Sequence, residues 1–190
     1  MPSALHQPWH AFEYFDSREI LLRLGKIERG LDSRSIPDRV IQLRTRGLRP
    51  FNERRQGALF CYGISCLIGR PIAYAPVEDE DFDCVARWAD DDVMHYTPIQ
   101  LKELPPNDLN PGASLEAELA KLAKYVSSPQ LCVAYYLNRQ FHFDPSTLRI
   151  PKLPIGELWM FGATSPDKSR WRIWGDLLAS PASTEYVYPA

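Results

Sequence analysis

The order of periodic segments predicts an α/β fold. Helical patterns, three strands in a meander, a crossover helix and a further strand make a mixed sheet with helices against it. Size agrees, because 190 residues suit one domain that buries about 70% of its unfolded surface without a metal or disulfide. Composition agrees as well: 45% of residues are hydrophobic and 24% charged, mean hydropathy is −0.31, and no apolar run reaches the roughly 18 residues of a membrane span.

The first helix is expected over 17–30. Ile20, Leu21, Leu24 and Ile27 recur near a 3.6-residue period after the start signal Asp16-Ser17, and Gly30 can end it. A short helix is expected near 37–46 between loops marked by Pro37 and Pro50. The next begins at Asn52 as N-cap and runs to Leu67, with Leu59, Phe60, Gly63 and Leu67 as its buried stripe.

After Pro71 the period changes to that of strands, which are expected at 72–77, 83–88 and 93–104. The second and third form a hairpin around Asp91-Asp92. Pro98 falls inside the third, where a central strand would lose a ladder bond and bulge. Ser114 caps a helix to Val126 with Leu115, Leu119 and Leu122 inward. The run Leu131–Leu137 is continuously apolar and reads as a strand buried on both faces. Strands near 157–163 and 170–175 complete the chain, which divides into a helical, arginine-rich segment (1–51), a core (52–140) and a C-terminal β extension (141–190).

The start of the chain lacks the basic-then-apolar pattern of a secretory signal, and Cys61, Cys66, Cys84 and Cys132 are scattered among apolar residues. They read as reduced core residues of a cytoplasmic protein. No CxxC pair is present, and His6, His10, His95 and His142 lack close ligand spacing, which argues against structural zinc.

The net charge of −2 hides a division: residues 1–70 carry +5, residues 71–130 carry −8 and residues 131–190 carry +1. The basic run Arg34, Arg39, Arg44, Arg46, Arg49, Arg54 and Arg55 is all arginine, whose planar fork matches phosphate better than an ammonium does. An ordinary solvated face is the simpler explanation of such a run. In the acidic part, Asp79, Asp81 and Asp83 imitate the start of a calcium loop. Cys84 stands where that loop needs glycine, which argues against it.

Strand alternation puts Asp83, Val85 and Arg87 on one face of the second strand, and Gln100 and Lys102 on one face of the third. A two-residue turn at Asp91-Asp92 sets Asp83 directly opposite Gln100. A carboxylate and an amide oxygen can hold Mg²⁺, and a neighbouring ammonium can orient water and offset charge on a phosphate.

The pattern Asp83, then Gln100-Leu101-Lys102, resembles the PD-(D/E)xK nuclease superfamily in its QxK variant. Upstream, Asn52-Glu53-Arg54-Arg55-Gln56 with Leu59 is similar to the core-opening helix of archaeal Holliday-junction resolvases, which begins on a metal-site Glu. Glu53 is the matching position, and the resemblance covers roughly 52–137. It implies a restriction endonuclease-like mixed sheet flanked by helices, with a helical N-terminal and a β C-terminal extension. It further implies Mg²⁺ or Mn²⁺ held by Glu53, Asp83 and Gln100, and a nucleophilic water positioned by Lys102. Nucleic acid, DNA in the first instance, is the expected partner, with Arg44, Arg46, Arg49, Arg54, Arg55 and Lys121 on its phosphates. The competing reading is an inactive nuclease-fold protein that serves as an interaction module, as a homodimer or with a protein partner. A pI of about 6.1 favours it, since nucleic-acid binders are more often basic.

Overall fold

The computed structural model describes residues 8–30, 49–77, 81–125 and 127–190. Helix α1 (Ser17–Gly30) forms over the expected residues. The Asp16 carboxylate accepts the Glu19 N–H at 2.8 Å, satisfying one of the donors that a helix start leaves without a partner. Leu21 and Gly25 form its buried face. Helix α2 (Arg49–Ile68) starts three residues before the expected cap. Asn52 therefore lies within the helix and does not cap it, and Pro50 sits in the first turn, where its missing N–H removes no helical bond. The 51/52 point falls inside this helix, and the helix expected near 37–46 lies outside the described residues.

Eight strands follow one another in space as in sequence, in a mixed sheet curled into a half-barrel. β1 (Phe15–Asp16), β2 (Ala73–Pro76), β3 (Cys84–Asp90) and β4 (Val93–Leu104) form an antiparallel meander. β4, β5 (Ser128–Leu137) and β6 (Ile155–Ala163) are parallel. β7 (Arg170–Gly175) and β8 (Ala182–Val187) return antiparallel. The sequence pattern predicts no strand at β8, because Tyr186 is its one buried residue.

Parallel neighbours require a crossover. Between β4 and β5 it is α3 (Leu115–Ala120), capped by Ser114 Oγ, which accepts the Ala117 N–H at 3.2 Å. This helix is shorter than the expected 114–126. It tightens into a 3₁₀ turn at Lys121–Lys124, and the Tyr125 N–H closes onto Leu122 O at 3.1 Å. Pro129 disfavours helical geometry at the residue before it, which is where β5 begins. Val126 lies outside the described residues.

The sheet separates two apolar clusters. One, beneath α1 and α2, contains Leu21, Leu59, Phe60, Tyr74, Tyr136 and Trp171. The other, beneath α3, contains Leu115, Leu119, Leu122, Val133, Tyr135 and Met160. Leu131–Leu137 supplies both and is buried at every residue, as its unbroken apolar run predicts. Tyrosine hydroxyls tie the helices down: Tyr74 donates to Arg54 O at 2.9 Å, Tyr186 to Leu59 O at 3.0 Å and Tyr188 to Leu21 O at 3.1 Å. Gly63 is required where α2 meets the sheet, since a Cβ there would stand 2.9 Å from the Tyr186 ring.

The β3–β4 register is the predicted one, Cys84 opposite Ile99 through Asp90 opposite Val93. Asp91 takes the turn's left-handed conformation, with φ 51°. Pro98 causes no bulge. The two-residue turn makes Val85 and Pro98 a non-hydrogen-bonded pair, and pairing with β5 starts one residue later, at Ile99 with Cys132. The proline nitrogen thus has no ladder partner to lose. Cys61, Cys84 and Cys132 are buried free thiols, but Cys66 is exposed, contrary to expectation, because it falls on the outer side of α2.

Candidate functional site

β3 stops at Cys84 while β4 continues to Leu104, so the last third of β4 has β5 on one side and no β3 on the other. Asp83 stands at this opening. Its N–H donates to Ile99 O at 2.9 Å, its carbonyl accepts the Val77 N–H at 3.0 Å, and its Oδ2 accepts the Leu101 N–H at 2.7 Å. The carboxylate occupies the place in the ladder where a main-chain carbonyl would otherwise sit.

Gln100 reaches it from the α3 face. Its side-chain Nε2 donates to Asp83 Oδ2, while its Oε1 accepts from the Tyr125 hydroxyl at 3.5 Å. Gln100 is one of three buried polar residues among those described, with Ser17 and Gln56. Lys102, two residues along β4, shares its face and is half-buried. Glu53 in α2 is half-buried as well.

Burial pushes the Asp83 carboxyl above its ordinary range. The Leu101 N–H opposes this, the Glu53 carboxylate reinforces it, and the Lys102 ammonium and Gln100 amide oppose it. Glu53 and Lys102 thus both lie within electrostatic reach of Asp83. They reach it from opposite sides of the sheet, Glu53 from the α2 side and Lys102 from the α3 side, so the expected arrangement in which Glu53 faces Gln100 and Lys102 is not the one formed, because α2 packs on the other face of β4.

The Asp83 carboxylate is a hard oxygen donor of the kind Mg²⁺ takes, with one or two carboxylates and several waters, and the Gln100 amide would add an oxygen once its N–H no longer points at Asp83. They do not form a closed cage: among the described residues no three His, Cys, Asp or Glu side chains are grouped to hold a metal. No family model, curated protein or solved structure matches the chain.

The expected phosphate contacts separate. Arg44 and Arg46 lie outside the described residues, and Arg49 opens α2. Arg54 is exposed. Arg55 is not: its side chain is 17% exposed and pairs with Glu28 at 2.6 Å, joining α2 to α1. Successive helix residues project about 100° apart, so Arg54 and Arg55 cannot share a face. Lys121 is exposed and pairs with Glu118 at 2.5 Å. Arg87 sits over the Tyr14 ring, 4.2 Å from its centre.

Two partners were not signalled by motif spacing. Tyr125 holds the Gln100 amide. Glu103 accepts from Gln56 Nε2 at 3.1 Å and from Asn138 Nδ2 at 2.6 Å. Gln56 lies one helical turn beyond Glu53, and that polar residue on an otherwise inward face was the available signal.

Proposed function

We propose that the chain is a metal-dependent nuclease of the restriction endonuclease-like type, hydrolysing phosphodiester bonds in nucleic acid. The observation that carries this reading is the Asp83–Gln100 contact at the open end of the hairpin, with Lys102 on the same face and Glu53 within electrostatic reach. Support also comes from the order α2, three-stranded meander, α3 and parallel β5, and from the half-buried Lys102 beside an excess of carboxylate.

In this reading Asp83 and Gln100 would hold Mg²⁺ or Mn²⁺, and Glu53, on the α2 side of the sheet, would add negative charge that favours the ion. When bound, such an ion would supply positive charge beside the phosphate and would lower the pKa of a bound water. Lys102 orients the attacking water by hydrogen bonding and places a second positive charge near the phosphate. Gln100 must present Oε1 to the ion, and Tyr125 suits either orientation of the amide because a hydroxyl both donates and accepts. Of the arginines expected on the phosphates whose side chains are described, Arg54 is the exposed one and is available to a phosphate backbone.

A non-catalytic interaction module is the second reading. Beside the acidic pI of about 6.1, it is favoured by the Gln100 amide, which spends its N–H on Asp83 in a purely structural bond. The deciding experiment measures cleavage of single- and double-stranded DNA and RNA with Mg²⁺ or Mn²⁺. Lys102→Ala and Asp83→Ala each lower the rate at least ~100-fold with the fold intact. Wild-type protein that cleaves none of these and shows no metal-dependent rise in Tm leaves the interaction module.

A further inference from the structure

A cavity of about 430 Å³ lies between the C-terminal half of α2 and the sheet. It exists because the sheet is lined there by small side chains, Ala86 on β3, Thr97 on β4 and Cys132 on β5, which leave the helix bridging a gap. Phe60, Ile64 and Ile68 face it from α2 at helical spacing, and Trp88 and Trp159 wall it from β3 and β6. Ile68 is 42% exposed. The volume and apolar lining are those of a small-molecule site.

Its net charge is negative. Glu157 lies beside Cys132 in the β5–β6 register, and its Oε2 is fixed by the Trp159 indole N–H at 2.7 Å. Asp90 and Arg70 also line the cavity and are paired with each other, so they cancel. Helix α2 ends here with no basic residue in its last turn, so its own last turn offers nothing against the negative carbonyl end. The negative field reaches inward: the buried Cys132 thiol is held well above its ordinary range by burial first and by Glu157 second.

We propose that this cavity binds an arylalkyl ammonium, a small molecule with an aromatic body and one protonated amine. The aromatic body packs against Trp88 and against the Phe60 and Trp159 rings, which already touch edge to face. The ammonium donates to Glu157 and is further held by the indole faces, which attract cations. The site shares no residue with the Asp83 group and stands independently of the nuclease reading.

Three probes with one carbon skeleton separate charge from shape: phenylbutylamine, phenylbutanol and phenylbutyrate, followed by calorimetry and by quenching of tryptophan fluorescence. The amine binds about tenfold more tightly than the alcohol, the order expected of a partly desolvated cation contact, and the carboxylate binds weakest. Glu157→Gln, which keeps an acceptor for the indole N–H, brings the amine to the level of the alcohol and leaves the alcohol unchanged. Ala86→Leu fills the cavity and abolishes binding of both, with near-UV circular dichroism confirming the fold. Equal affinity for amine and alcohol overturns the proposal, as does binding that survives Ala86→Leu in folded protein or the absence of saturable binding by the amine. None of these outcomes alters nucleic-acid cleavage, so failure here is distinct from failure of the nuclease reading.

Discussion

The Leu101 N–H donates to the Asp83 carboxylate at 2.7 Å, at the point where β3 has ended and β4 runs on. A charged side chain therefore finishes a β-ladder. The arrangement is locally satisfied and electrostatically costly, because the same carboxylate is partly buried and faces Glu53. Groups held against their own stability are common where binding or chemistry requires them.

Replacing Asp83 with asparagine tests that cost. The folded protein holds the Asp83 proton more tightly than the unfolded chain does, since its pKa is raised above 3.8. The contribution to stability is thus greatest below the unfolded value and falls as pH rises through the folded one. The neutral amide of the variant mimics the protonated carboxyl. In EDTA, Asp83→Asn is as stable as wild type near pH 3, and its advantage grows as pH rises above about 4 until it levels off. Denaturation across this pH range is the measurement, and a constant difference at all pH values contradicts the electrostatic account.

Gln100→Glu places a second carboxylate against Asp83 and removes the donor that the amide provides. Without divalent metal the variant loses on the order of 1–2 kcal/mol, from the lost charge-assisted bond and like-charge repulsion. Mg²⁺ or Mn²⁺ restores this, so the rise in Tm on adding metal exceeds that of wild type. Loss without restoration by either ion speaks against a cation at this position.

Arg54 and Arg55 are neighbours in sequence with opposite expected behaviour. Arg54→Glu leaves stability nearly unchanged and, if α2 lines the nucleic-acid path, lowers the dependence of binding on log salt by about one unit. Arg55→Glu breaks the pair with Glu28, whose partner side chain is 17% exposed, and costs on the order of 2–3 kcal/mol by leaving two carboxylates face to face. Chemical denaturation with salt-titrated binding separates the two effects, and a stable Arg55→Glu protein contradicts the structural role of that pair.

Much of the fold is legible locally. Asp16 and Glu19 mark the α1 start, Ser114 caps α3, the Asp91-Asp92 turn sets the β3–β4 register, and seven apolar residues in a row give β5. Each depends on neighbours a few positions apart, where steric preference and side-chain period act directly. The hairpin register alone brings Asp83 near Gln100, with no tertiary contact required.

Other features depended on which faces meet. Nothing near Arg55 signals that Glu28, on another helix, takes its charge, and nothing near Glu103 signals that Gln56 and Asn138 share its carboxylate. β8 was invisible because an edge strand burying Tyr186 alone has almost no hydrophobic alternation, and it becomes a strand by pairing with β7. Helix ends shifted for a similar reason, as α3 tightens so that the chain can reach β5. Local sequence determined α1, most of α2, the strands β2 to β7, the hairpin register and the Asp83–Gln100–Lys102 neighbourhood, because these are set by backbone sterics and by the period of a helix or strand. Tertiary packing alone decided which charges are neutralised, which arginine stays exposed and where α2 leaves a cavity, because those outcomes depend on side chains that meet only when distant segments fold together.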